Sequence, residues 1–327
     1  MTYSAGGLIQ ATDYNGFVST TAGANVNATW STGSTNAGWG QTALGTVSAG
    51  GTVTATQWAS LVNTLASMGS QTGTTITSRT APTAGQTITA LAAVNTDLTN
   101  CYNNRGNASG SGSAYGTFSG TTSKTTATGS GQTTWTITFT HTVTFPSADQ
   151  ARYFFNAGGI VKIQYGKSST GTDIDPDWNA FAALCGSINI TGGAQTIAAQ
   201  AYTGTTRLGG TGGTQTTLAT STGWYALTGT PVTLFQLNNA SSPYTGEYIR
   251  TQASASATVL TLTTTWVQPA VSGAGTTCNI SGGTAVSSPA TSIGAATAPT
   301  TLVTYVPPST TYLTASWGTP TIAASVA

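Results

Sequence analysis

Residues 135–165, WTITFTHTVTFPSADQARYFFNAGGIVKIQY, decide how this chain folds. Trp135, Ile137, Phe139, His141, Val143 and Phe145 occupy one side of a period-two pattern, and Thr136, Thr138, Thr140, Thr142 and Thr144 occupy the other. Side chains alternate across a sheet, so the pattern predicts a long strand with one apolar face and one hydroxyl-coated face. Pro146 ends the strand because it has no N–H for the ladder. Ser147 followed by Gln150 reads as a capping box that opens a short helix. That helix carries Ala151, Tyr153, Phe154 and Phe155, and Gly158-Gly159 stops it. Ile160 to Tyr165 resumes as a strand. The predicted core is Trp135, Ile137, Phe139, Phe145, Tyr153, Phe154 and Phe155.

Around this unit the composition is unusual. Charged residues make up 5% of the 327 positions, and the formal net charge is +1. A globular average is nearer ~25% charged. The 38% hydrophobic content and 8 tryptophans nevertheless separate the chain from disordered compositions, which are poor in aromatics and rich in charge. Nucleic acid is excluded as a partner, because its binding needs clustered Lys and Arg to displace counterions. Scarce charge also gives little protection against self-association, which argues that sheet edges and apolar surface are covered by neighbouring subunits.

Upstream, helical spacing appears. Thr12-Asp13 can cap a turn carrying Tyr14, Phe17 and Val18. Thr52 to Thr56 reads as a short polar strand or turn. Thr56-Gln57 opens a helix with Trp58, Leu61, Val62, Leu65 and Met68 on one face, ended by Gly69, and a second helix runs from about Ile88 to Tyr102. These form a small N-terminal helical module, residues 1–106, followed by a Gly/Ser linker at 107–115 (its NASGSGSAY has no capacity for burial).

Residues 116–269 read as a β-rich body. Asp177 is placed to cap a helix carrying Trp178, Phe181, Leu184 and Cys185. Ser187 to Ile190, Trp224 to Leu227, Val232 to Leu237, Tyr248 to Thr251 and Thr258 to Val267 read as strands punctuated by Gly, Asn, Ser and Pro. Residues 270–327 are low in complexity and read as an extended arm, disordered or ordered by a neighbouring subunit. The fold class is therefore mainly β with short helices (α+β): a helical module, an antiparallel sandwich or sheet with short helices, and a C-terminal arm.

Candidate chemistry is sparse. His141, the single histidine, lies in register with Phe139 and Val143, so it reads as a core histidine holding a hydrogen bond and not as a general base. Asp173, Asp175 and Asp177 form a D-x-D-x-D run that could begin a calcium loop. The pattern then fails, with Trp178 where a Gly is needed and no closing Glu. A solvated loop with a helix cap fits these aspartates better. Cys101, Cys185 and Cys278 have neither disulfide-framework nor zinc spacing. Glycoside hydrolysis needs two carboxyls facing each other, and the seven acidic residues, Glu247 the sole Glu, look loop-bound. Gly209 to Gly213 lacks the Lys and context of a phosphate loop. No catalytic residue, cofactor or membrane-spanning segment is expected. The first residues lack the character of a secretory signal, so synthesis in a cytoplasm without secretion is expected.

The run FPSADQARYFFNAGG at 145–159, followed by an apolar strand, resembles a segment of virion structural proteins of tailed bacteriophages, cyanophages and marine myoviruses among them. ATDYNGF near the start, GWGQT, the Ala55-Thr56-Gln57-Trp58-x-x-Leu61 helix, Asp177-Trp178-Asn179 before GSINI, and Trp224 to Leu227 are similar in the same order. The resemblance covers residues 8 to 268. It implies a virion component of the tail-fibre or neck type, with no catalytic residues to carry over. A homo-oligomer, a trimer by analogy with fibres, and other virion proteins are the implied partners. A host-surface glycan-binding adhesin and a capsid decoration protein are the alternatives.

Overall fold

The computed structural model describes residues 9–19, 24–32, 37–86, 91–110, 119–120, 135–168, 174–240, 245–269 and 299–327. Helices come first: α1 (Ala11–Val18), α2 (Val26–Thr29), α3 (Ala55–Thr72) and α4 (Leu91–Asn103). Then follow β1 (Ser119–Gly120), β2 (Trp135–Thr144), α5 (Ala148–Asn156), β3 (Ile160–Gly166), α6 (Ile174–Cys185), β4 (Ser187–Ile197), β5 (Gln200–Leu208) and β6 (Thr214–Leu218). A 3-10 turn at Trp224–Ala226 precedes β7 (Val232–Asn238), β8 (Tyr248–Ala255), β9 (Val259–Gln268), β10 (Thr300–Val306) and β11 (Thr321–Val326).

The strands form a seven-stranded sheet, β1-β11-β2-β9-β8-β7-β6, and a four-stranded sheet, β10-β3-β4-β5. All pairings are antiparallel except β1 with β11. The protein is thus mainly β with short helices. On β2 the apolar residues Ile137, Phe139 and Val143, and His141 with them, are buried, while Thr136 and Thr144 are exposed. The buried face of the large sheet meets Val161, Ile163, Ile188, Ile190 and Val303 of the small one in a single core. Polar contacts also cross the gap: Trp266 Nε1 donates to Thr301 Oγ1 at 3.1 Å, and the Tyr165 and Thr251 hydroxyls lie 2.7 Å apart. Two inner faces joined this way make a sandwich core.

The strand–helix–strand unit at 135–166 has the expected elements, but its strands belong to different sheets. α5 is the bridge between them. Ser147 Oγ accepts from the Gln150 N–H, so the cap forms without the reciprocal bond of a full box. Phe145, Phe154 and Phe155 cluster with centroids 5.1–5.6 Å apart, and all are buried. Tyr153 is buried too. The Trp135 side chain lies outside the described residues.

Several elements differ from the sequence reading. Trp224 to Leu227 is a 3-10 turn, not a strand. Gly223 explains it: a Cβ there would sit 2.6 Å from the Gly192 carbonyl oxygen, so the chain presses backbone to backbone on β4 and turns. Trp224 then stacks on Phe155 at 4.9 Å. Residues 51–54 carry no strand, and α3 begins at Ala55 behind a full capping box of Thr54 and Gln57. α3 also runs past Gly69 to Thr72, with Gly73 at φ +68° as its cap. Gly69 serves close packing instead, since a Cβ there would meet Ile76 at 3.0 Å. β5 and β6 are strands with mostly polar sequences, QAYTGTTRL and TQTTL, whose alternation carries no apolar signal.

Contacts run across the expected domain boundary. Tyr14, Phe17, Trp58, Leu61 and Leu65 of the helices share one continuous core with the strands. Gln71 Nε2 donates to the Ala157 carbonyl at 3.2 Å, and Asn156 Nδ2 to that of Gly38 at 2.9 Å. The start of the expected linker is docked, because Ala108 bridges to Ile197 and Asn107 Oδ1 accepts from the Thr196 N–H. Residues 111–115 lie outside the described residues, as do 270–298 of the expected arm, Cys278 included. Residues 299–327 join the chain's own sheets, with β10 along β3 and β11 along β2. Their ladders pair with this chain because Val303, Tyr305, Leu313, Trp317 and Ile322 are buried in its core.

Candidate functional site

The most concentrated titratable chemistry among the described residues lies where α6 meets the ends of β7, β8 and β9. Asp177 is not the exposed cap of α6 but a residue within it. The helix begins at Ile174, and Pro176 is tolerated because a first-turn residue has no N–H partner to lose. This places Asp177 on the inward side, buried together with Trp178. Glu247, just before β8, has no exposed surface, and Asn239, just after β7, is buried.

One amide joins the two acids. Asn239 Nδ2 donates to Glu247 Oε2 at 2.8 Å and to Asp177 Oδ2 at 3.1 Å. Asn239 and Glu247 are tied to each other by the Asn239 N–H donating to the Glu247 carbonyl at 2.8 Å. On the far side, Trp178 Nε1 donates to Gln268 Oε1 at 3.0 Å.

Burial pushes the Glu247 carboxyl well above its ordinary range, and the neighbouring charge and hydrogen bond of Asp177 push it further; Asn239 and Gln268 act in the opposite sense. Burial also raises Asp177, against hydrogen bonds from Glu247 and Asn239. Two carboxyls in one dry site cannot both carry charge there cheaply.

That arrangement has the ingredients of general-acid chemistry, but a catalytic carboxyl must reach its substrate. Glu247 is fully enclosed, and neither acid lines either of two cavities found among the described residues. One cavity, about 410 Å³, lies between α3 and residues 74–79, beside Arg79, which is ion-paired with Asp97 at 2.5 Å. The other, about 360 Å³, lies on the outer face of the small sheet around Lys162, Asn189 and Tyr202.

Of the D-x-D-x-D run, Asp173 and the Asp175 side chain lie outside the described residues. Asp177 points to Asn239 and Glu247. Among the described residues no three His, Cys, Asp or Glu side chains group closely enough to hold a metal ion, and no helix is long and apolar enough to cross a membrane. His141 is buried between Leu262 and Ala324 on the neighbouring strands. Burial drives its pKa down to about 4, against a hydrogen bond with the Thr301 backbone. Cys101 and Cys185 are free and buried, and burial raises both thiols, Cys101 to about 11.

The Asp177–Glu247 pair was invisible to spacing arguments, because its members come from separate elements far apart in the chain. The one available signal was that the chain's sole Glu sits at the mouth of a strand. The chain matches no family model, no curated protein and no solved structure.

Proposed function

We propose that this chain is a non-enzymatic structural component of a tailed-phage virion. In this reading it is a neck or tail/baseplate appendage of the fibre kind, made in the host cytoplasm. It works by assembling with copies of itself, a trimer favoured, and with other particle proteins. The observation that carries the reading is the outer face of the large sheet. Thr138 faces Thr265, Thr140 faces Thr263 and Thr142 faces Thr261 across β2 and β9. Among the described outward residues of β2, β8, β9 and β11, Arg250 is the one charged side chain. Burying such a face against another subunit strips water from hydroxyls and methyls. An ionic face would cost several kcal/mol more per uncompensated charge. The resemblance at 145–159 supplies the virion setting.

The glycan-adhesin alternative depends on exposed aromatic faces. Trp39, Trp58, Trp178, Trp224, Trp266 and Trp317 are all buried, which leaves Tyr225 and Tyr312 as the exposed large aromatics among the described residues.

Light scattering on the purified chain, together with antibody labelling of intact particles, tests the proposal. A stable oligomer and label at the neck or tail are expected. A monomer at high concentration that is absent from purified particles would overturn it, and label spread over the capsid would favour the decoration reading. Glycan-array binding lost on Tyr225→Ala or Tyr312→Ala would favour the adhesin.

A further inference from the structure

We propose that Asp177, Asn239 and Glu247 form a proton-operated latch tying α6 to the facing ends of β7 and β8, closed while the two carboxyls share one proton and opened by its loss. The geometry is that of a clasp. A single amide bridges a helix and a strand end at 3.1 and 2.8 Å, and both acids are cut off from solvent.

The surroundings offer little to take the proton's place. On α6 the facing groups are Asp177 and Trp178, on the end of β7 Asn239, at the start of β8 Glu247, and at the end of β9 Gln268. The cations on β3, β5 and β8 and just after β3 are engaged elsewhere, Lys162 of β3 lining the cavity on the outer face of the small sheet. Arg250 lies over the Tyr248 ring at 5.6 Å, and Lys167, after β3, donates to the Ser168 carbonyl. Arg207 serves the opposite end of α6, where its guanidinium donates to the Leu184 and Cys185 carbonyls. None of these is among the groups that shift the pair.

The raised carboxyl fixes the direction. Folded values above the unfolded one mean that the latch's stabilisation is complete below about pH 4.3, the ordinary Glu value, and is lost as pH rises through the folded value. Over that interval the opening equilibrium grows about tenfold per pH unit, and above it becomes flat. Opening would release Trp178, which packs on Trp266 at 5.5 Å and on Phe181 at 5.5 Å.

Hydrogen exchange of the full chain, corrected for intrinsic rates, measures the opening of 174–185 and 239–249 from about pH 5 to about pH 9. The proposal expects protection to fall with rising pH in these two segments before it falls in β2 and β9. Tryptophan fluorescence should change over the same range. In Glu247→Gln, which keeps the shape and the bond to Asn239, most of the slope should vanish and protection at the alkaline end should rise. Asp177→Asn, which removes the neighbouring charge but leaves Glu247 buried, should move the slope to lower pH. Wild-type protection that is independent of pH, or lost uniformly across the sandwich, would overturn the latch. So would a Glu247→Gln slope equal to that of the wild type. If neither variant folds, the order of loss in the wild type still decides.

Discussion

Single side chains set most of what is unusual here. Phe154 is fully buried, touching Phe145, Phe155 and Tyr305 at ring-centroid distances of 5.3, 5.1 and 6.1 Å. Phe154→Ala should therefore cost about 3–5 kcal/mol, read as a lower denaturant midpoint at unchanged slope. His141 works in the opposite sense to the carboxyl pair. Its folded pKa lies below the ordinary value, so its neutral form contributes stability that is present above about pH 6.5 and lost as pH falls through about 4. His141→Leu should flatten the acid limb of a melting-temperature profile, while the wild type should lose stability over that range. The burial of this histidine was legible, because position 141 shares parity with Phe139 and Val143. The fate of Asp177 was not. A residue that can cap a helix from outside can also sit within its first turns, and the choice depends on a partner seventy positions downstream.

At the level of elements, local signals worked where they were self-contained. The threonine alternation marks β2 and its buried face, and the helical spacing from Trp58 to Met68 marks α3, although its cap is the Thr54–Gln57 pair and not the expected Thr56-Gln57. Thr54→Ala should cost about 1 kcal/mol and raise exchange in the first turn of α3, leaving its C-terminal end unchanged. What local pattern could not carry was which sheet a strand joins. β2 and β3 flank one short helix yet lie in opposite layers, a fact set by their pairing with β9 and β10. β5 and β6 escaped notice for a related reason: they are held by backbone ladders to β4 and β7, with few buried apolar side chains of their own. A hydroxyl-rich sequence hides such strands, since its strand residues resemble its turns.

Across the whole molecule, the last described residues close both layers. β10 lines β3, β11 lies between β1 and β2, and Gln41 bonds to Thr314 and Ser316. Ending the chain after Gly318 should leave the β2 edge open, with its N–H and C=O groups available for pairing. Light scattering should then show concentration-dependent aggregation that the full chain lacks at the same pH. Because ionisable residues are so few, the pH dependence of the whole fold should be dominated by His141 on the acid side and by the Asp177–Glu247 pair above it. Maximal stability is expected between about pH 4 and about pH 6.5, where the two opposing slopes offset each other.

The placement of β11 also bears on the order of events during synthesis. Gln41 waits for partners more than 270 positions later, and β2 acquires its second neighbour only once residue 321 has been made. Until β9 has been made, then, both edges of a ten-residue strand stand unpaired, and one of them stays open until β11 follows. Contacts of such sequence separation make for slow maturation. Cells producing this protein should show a long-lived, protease-sensitive and chaperone-bound nascent form, whose lifetime follows the distance still to be translated before β11.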